Sequence, residues 1–238
     1  MPLKLFHTYS RLLRFVDRES RPTRCVTDKL AAIRGVWDKW VERLPVLYNP
    51  GPDVTVDEQL VPFRGRCPFR QNMPSKPAKY GIKSWVACDA NSSYAWKMQV
   101  YTGKPTSGGP EKNQGMRVVL DGTEGSELPP ALLVSKEREF FSSRFAFTPT
   151  TTLVSYLPKK NKHVLLLSTL HTEAEISDRQ DRRPAIILDY NCNKGGVDNL
   201  VIGMYSCRRM TARWPLVIIH NIIDVSSYNT FVIWRDQP

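Results

Sequence analysis

Apolar residues with helical spacing occur first between positions 27 and 44. In TDKLAAIRGVWDKWVERL they recur every three or four residues and would line one face of a helix. Thr27 or Asp28 can cap the start of this helix, and Pro45 would end it. The pattern therefore predicts one amphipathic helix, followed by a turn-rich connector at 46–52. The apolar face comprises Leu30, Ile33, Trp37, Trp40, Val41 and Leu44.

Patterns typical of β-strands follow the connector. The runs VTVDEQLV, KYGIKSWVACD and SSYAWKMQVYTG are β-prone and are separated by turns rich in Pro, Asn and Ser. TTLVSYLPKKNKHVLLLST (151–169) predicts a hairpin with PKKNK at its tip, which is either a solvated turn, a phosphate contact or a nuclear address. AIILDYN (185–191) is expected to be extended.

The C-terminal part carries two signals for helix starts. The Gly-Gly pair in NKGGVDNLVIGMYS predicts a turn that opens a helix, and Trp214-Pro215 begins the last long helix because Pro suits the first helical position. Residues 106–115 are a loop by composition, whereas MRVVLD (116–121) and 122–144 fit no single element. The order of helix, strands, hairpin and helices predicts an α/β or α+β fold with a mixed sheet.

Charge and cysteine content narrow the classes of function. The 238 residues include 34 Lys and Arg against 23 Asp and Glu, a net charge of +11, which favours a polyanionic partner such as nucleic acid. The five cysteines form no CxxC pair, which argues against a disulfide framework or a structural zinc site. The apolar run PLVIIHNIIDVSSYNTFVIW is interrupted by His220, Asn221 and Asp224, and is better interpreted as a buried helix than a membrane span. MPLKLFHTYS has too short an apolar run for a signal peptide.

Two aspartates are candidates for metal-dependent phosphoryl transfer. Such sites hold two divalent ions about 3.5–4 Å apart with carboxylates from separate parts of the chain. Asp57, on the first predicted strand, and Asp198, after the Gly-Gly turn, suit this role. Glu58 follows Asp57 directly, so the two should point to opposite faces of the sheet. Asp224, within the last helix, is expected to be a structural or surface acid and not a metal ligand.

Several blocks of this sequence resemble the piggyBac transposase family. They are DEQLVPFRGRCPFR with KPAKYGIK, then TTLVSYLPKKNK, YNCNKGGVDNL and SCRRMTARWP, in the order of the family and over most of residues 10–235. The resemblance implies an RNase H-like domain of the DDE/D type, in which three aspartates bind two Mg²⁺ ions. Asp57 matches the first of these aspartates and Asp198 the third.

The sequence also departs from the family pattern. The motif with the second aspartate is absent, because DGTEG joins SELPPALL directly, and Val201 stands where the family has a further acid. Asp121 is a weak replacement. We therefore expect an α/β, degenerate RNase H-like fold with a mixed β-sheet and flanking helices that lacks one central strand region. Residues 1–50 would be a helical remnant of a dimerisation or DNA-binding domain, and 51–238 a partial transposase domain. Mg²⁺ binding would be weak or absent.

Two basic clusters are expected to meet DNA phosphates, since the resemblance places the first of them beside the DNA. The alternatives are that the first cluster braces its own loop through carbonyl groups, and that the second caps the preceding helix. The first cluster comprises Arg64, Arg66, Arg70, Lys76, Lys79 and Lys83. The second comprises Arg208, Arg209 and Arg213.

Three functions fit these observations. The first is a domesticated, nuclear, piggyBac-derived protein that binds the DNA backbone without transposition activity. The second is an active transposase that cleaves and joins DNA, and the third is a truncated product without a function. We expect no membrane and no small-molecule partner, and a homodimer is possible.

Overall fold

A computed structural model of the chain describes residues 2–17, 19–103, 132, 138–160 and 162–236. The interpretations of 106–115, of MRVVLD with Asp121 and of the DGTEG–SELPPALL junction fall outside these residues. The chain forms two compact units. Unit 1 combines residues 1–112 with 196–238, and unit 2 contains residues 113–195.

Unit 1 begins with four short helices: α1 (Leu3–Leu12), α2 (Arg21–Thr27), α3 (Arg34–Val41) and α4 (Leu44–Leu47). The single helix predicted over 27–44 is wrong, because the chain turns at Asp28. The carboxylate of Asp28 accepts hydrogen bonds from the backbone N–H of Leu30 (2.9 Å) and from the Arg34 guanidinium (2.8 Å). The four consecutive residues 30–33 are all buried, which the single apolar face of a helix cannot achieve.

The sheet of unit 1 contains β1 (Val54–Pro62), β2 (Gln71–Asn72), β3 (Tyr80–Asp89) and β4 (Ala95–Val100). All three predicted strands are confirmed, and the described pairs are antiparallel. The central strand β3 pairs with β1 from Val54↔Asp89 to Pro62↔Gly81, while β2 and β4 pair with different parts of it. Within the described residues β1 has no second strand partner, so it forms one edge of this sheet.

Unit 2 contains an antiparallel sheet of β5 (Ser142–Phe147), β6 (Thr152–Lys159) and β7 (Lys162–Ser168), and helix α5 (Ala185–Asn193). The predicted hairpin is confirmed as β6 and β7. The extended conformation predicted for 185–191 is wrong, because this stretch forms α5 after Pro184. A short apolar run such as AIIL is found in both buried helices and buried strands, so its sequence does not separate them.

Two further helices of unit 1 cover one face of the first sheet. They are α6 (Gly196–Gly203) and α7 (Trp214–Arg235), and both predicted starts are confirmed. Asn221 on α7 donates to Gln59 on β1 (3.1 Å), and Asn229 bonds both the N–H and the carbonyl of Ala95 on β4 (2.9 and 3.0 Å). Helix α7 has the length and hydropathy of a membrane span, but half of its apolar window is buried within the protein, as is common for core helices.

Candidate functional site

Asp57 lies on the face of β1 that α6 and α7 cover. Thr55 and Gln59 share this face by strand alternation and are both buried, whereas Asp57 between them is half-buried. The Oδ1 atom of Asp57 accepts a hydrogen bond from the backbone N–H of Glu58 (2.7 Å). Glu58 belongs to the opposite face, where its carboxylate lies 3.5 Å from the Lys83 ammonium. Only one of the two adjacent acids therefore faces the helices.

Asp198 lies in the first turn of α6 and is exposed. The helix begins at Gly196, whose position is so close to the sheet that a Cβ atom there would lie 2.5 Å from Thr55 Oγ1 and 3.3 Å from the Asp89 carbonyl oxygen. Thr55 and Asp57 are two residues apart on β1, about 7 Å along the strand. The fold therefore packs the helix that carries Asp198 against the strand that carries Asp57, although 198 − 57 = 141 positions separate the two residues in the chain.

The described residues do not fit a two-metal centre. Mg²⁺ prefers six oxygen ligands in octahedral geometry, and two such ions need several carboxylates in common. Within the described part of the chain, no three His, Cys, Asp or Glu side chains come together as a possible metal site. Glu58 is engaged on the other face, and Val201 offers no oxygen ligand from its side chain.

The residues of the first basic cluster differ in their contacts and in their exposure. Arg70 donates to the carbonyl oxygens of Arg64 (2.6 Å) and Gly65 (3.1 Å), so it braces the loop as in the alternative interpretation. The Lys83 ammonium lies against Glu58 and 4.1 Å from the centre of the Trp85 ring. Arg64 and Arg66 are exposed, as is Lys79, whereas Lys76 is half-buried.

The second basic cluster lies beside the first. Arg208 donates to the carbonyl of Pro62 at the end of β1 (3.2 Å). A Cβ atom on Gly65 would lie 3.1 Å from the Ala212 carbonyl and 2.4 Å from the ring of the buried Phe63, so this close approach of two segments requires glycine. We call the resulting array the basic surface. It consists of Arg64, Arg66, Arg208, Arg209 and Arg213.

Asp224 supports the segment that carries the second cluster. It is buried on α7 and accepts hydrogen bonds from the Ser206 hydroxyl (2.9 Å) and the Cys207 backbone N–H (2.7 Å). These bonds hold the chain just before Arg208. The prediction that Asp224 is structural therefore agrees with its contacts.

Asp89, at the end of β3, holds the following turn in place, a role that was not predicted from the sequence. It is buried, and its carboxylate accepts hydrogen bonds from Gly51, Asn91 and both the N–H and the hydroxyl of Ser92. Burial of the carboxyl raises its pKa, but these hydrogen bonds together outweigh burial, so the pKa is below its usual value. The signal in the sequence was DANS, since Asp often accepts bonds from backbone N–H groups two and three residues on.

Comparison with known proteins gives two matches. The family model described as Transposase IS4 matches residues 1–124 and 119–231. A cryo-EM structure of the piggyBac transposase synaptic complex with hairpin DNA is 31% identical in sequence and superposes with a TM-score of 0.70. The match covers 97% of this chain and 56% of that chain, so this chain spans little more than half the length of the solved protein.

Replacing Gly196 by alanine tests the close packing of α6 against the sheet. We expect the free energy of unfolding to fall by about 1–3 kcal/mol, because the new methyl group would overlap Thr55 in a packed region. Gly35→Ala is the matched control, since a Cβ atom there meets nothing within 4 Å. It should be neutral or stabilising by up to about 1 kcal/mol. Urea unfolding measures both variants, and equal stability of the two would contradict this account of Gly196.

Replacing Asp89 by asparagine tests the turn after β3. At pH 7 we expect a loss of roughly 2–3 kcal/mol, because hydrogen bonds to a charged acceptor contribute about 1.5–3 kcal/mol each. The folded carboxyl has a lowered pKa, so its contribution is complete above the ordinary value of about 3.9 and is lost as the pH falls through the folded pKa.

The stability difference between the wild type and Asp89→Asn should therefore be constant from about pH 7 to 5 and shrink below about pH 4. Chemical unfolding at a series of pH values measures it. A difference that stays the same at pH 3 would show that the charge on Asp89 does not support the turn.

Proposed function

The chain belongs to the piggyBac-type transposase family, and from this premise we propose that it is a transposase-derived protein that binds the DNA backbone and does not carry out transposition. The observation that carries the proposal is the convergence of two basic clusters, distant in sequence, on one surface. The close approach of Gly65 to Ala212 and the bond from Arg208 to Pro62 produce this convergence.

The chemistry of the basic surface suits phosphate groups. Arginine presents a planar fork of N–H donors that bonds phosphate oxygens in pairs, and it remains charged at any physiological pH. Arg64, Arg66, Arg208 and Arg209 are exposed. The related piggyBac transposase was solved with hairpin DNA, which supports DNA as the partner. Contacts of this kind bind DNA independently of its sequence, and a nuclear location follows from such a partner.

We propose that transposition is absent because the described residues offer too few acidic side chains to bind two metal ions. Asp57 and Asp198 lie on elements that contact each other, β1 and α6, but the described residues supply no group of three acids for a pair of metal ions. The second candidate function is an active transposase with two-metal cleavage and joining of DNA, and the contact between β1 and α6, which carry Asp57 and Asp198, favours it. A truncated product without function is the third, and cooperative unfolding of the purified protein would argue against it.

DNA binding should depend steeply on salt. If the four exposed arginines each neutralise one phosphate, log K should fall against log salt with a slope of about −3.6 for duplex DNA of any sequence. Fluorescence anisotropy between 50 and 200 mM NaCl measures the slope. The variant R208Q/R209Q should reduce it by about 1.8, whereas R179Q/R182Q, which removes two exposed arginines of unit 2, should leave it unchanged. Wild-type protein that fails to bind duplex DNA at 50 mM salt would refute the proposal.

Cleavage of DNA should not occur. We expect no nicking of a labelled hairpin DNA with Mg²⁺ or Mn²⁺, for the wild type or for Asp57→Asn, on a denaturing gel. Nicking by the wild type that Asp57→Asn abolishes would instead establish the second candidate function. Nicking that persists in Asp57→Asn would indicate a contaminating nuclease, and the assay would then be repeated on protein purified again until this activity is absent.

A further inference from the structure

A cavity of about 320 Å³ opens at the start of α7 in unit 1. Its walls come from three distant parts of the chain: the segment after α1, the loop after β1, and the first turn of α7. This volume is at the lower end of the range for ligand pockets, which suits one small group rather than a large molecule. The lining residues are Arg14, Arg66, Ala212, Arg213, Trp214 and Pro215.

Two of the arginines converge on a single atom. The guanidinium groups of Arg14 and Arg213 both donate to the carbonyl oxygen of Leu13, at 2.9 and 2.5 Å. Phe15 packs against the hydrophobic core, so the backbone next to Arg14 is held in place. Residues almost 200 positions apart in the chain thereby present their charges side by side.

The third arginine reaches the cavity through the loop after β1. Gly65 allows this loop to approach the Ala212 carbonyl closely, and Arg66 follows directly. Trp214 is buried and packs edge-on against Phe69 of the same loop, with ring centres 5.1 Å apart. The wall of the cavity is therefore fixed by packing as well as by hydrogen bonds.

The charge of the cavity favours an anion. Three guanidinium groups repel each other, and none of the described residues that line the cavity is acidic. Each guanidinium has five N–H donors in a rigid fork, which is the geometry that phosphate oxygens accept. The first turn of α7 adds the partial positive charge of a helix N-terminus.

We infer that Arg14, Arg66 and Arg213 form a pocket that clamps one phosphate group of bound DNA. This inference rests on the proposed DNA binding and sharpens it, because it assigns the three arginines to a single shared phosphate and adds Arg14 to the DNA-contacting residues. A shared phosphate has a measurable consequence. The number of phosphates that a protein neutralises sets the salt slope of binding, at about 0.9 per phosphate for duplex DNA.

The test compares two triple variants of the full chain that lose the same charge. R14Q/R66Q/R213Q removes the clamp, and R179Q/R182Q/R235Q removes three exposed arginines outside residues 1–50 and outside both basic clusters. Anisotropy titrations with duplex DNA in Tris buffer, free of phosphate, give the salt slopes. We expect the clamp variant to lose about 0.9 of the slope and the control to lose none. A loss near 2.7 would mean three separate phosphate contacts, and no loss would mean no contact, so either result overturns the clamp.

A second measurement does not depend on DNA. Inorganic phosphate at millimolar concentration should raise the melting temperature of the wild type, compared with a chloride buffer of the same ionic strength that contains no sulfate. It should not raise the melting temperature of the clamp variant. R213K should also lose this stabilisation, because lysine keeps the charge but not the fork. If the triple variant does not fold, as judged by circular dichroism, Arg66→Gln on the exposed loop takes its place and should weaken the phosphate effect.

The two measurements separate the clamp from the proposed function. If the clamp variant binds DNA with the salt slope of the wild type, and phosphate does not raise the melting temperature of the wild type, the clamp is overturned. The proposed function is then left intact. Phosphate stabilisation that depends on the three arginines, without any DNA binding, overturns the proposed function and shows a pocket for free phosphate in place of the DNA clamp.

Discussion

The packing of the last helix across the β1–β3–β4 face is the constraint on which unit 1 depends. Val217, Ile218 and Val225 of α7 belong to the same buried cluster as Val86 of β3. Two buried asparagines, Asn221 and Asn229, add specific hydrogen bonds to β1 and β4. Because a buried polar group without its partner costs about 1–3 kcal/mol, these bonds disfavour any other position of the helix on the sheet. The helix joins the sheet only after the chain has passed through unit 2.

This packing also assembles the basic surface. The start of α7 lies against the loop after β1, with Trp214 in contact with Phe69. Asp224, almost three turns into the same helix, holds the backbone at Cys207. The segment between these two anchors carries Arg208 and Arg209. Concentrating arginines in this way raises the electrostatic cost of the free protein, and a polyanion relieves that cost on binding.

The strand that carries Asp57 is an edge strand within the described residues, and the polar side chains of Asp57 and Glu58 make local contacts there. Unpaired edge strands invite pairing with other chains. The carboxylate of Asp57 satisfies the N–H of Glu58, and Glu58 itself faces Lys83, whose ammonium lies over the Trp85 ring. The first aspartate of the family motif thus has a local structural contact.

The sequence by itself determined the elements whose signals are local, and the motifs that mark the family. Alternating strand patterns, the Gly-Gly turn and Trp214-Pro215 predicted β1, β3, β4, α6 and α7, because each signal lies within the element that it specifies. The helix over 27–44 and the extended run over 185–191 failed for the opposite reason. Residues 30–33 are all buried by parts of the chain distant in sequence, which interrupts the helix predicted over 27–44. The apolar run at 185–191 is short, and such runs occur both in buried helices and in buried strands.

Only the tertiary structure decided the role of each cation. Arg70 and Lys83 belong to the same basic stretch as Arg66, yet one braces its own loop and the other faces Glu58. Arg14 carried no signal in the sequence and lines the same cavity as Arg66 and Arg213. A charge pattern records which residues are basic, but whether a guanidinium meets a carbonyl, a carboxylate or a phosphate depends on which remote segments the fold places beside it.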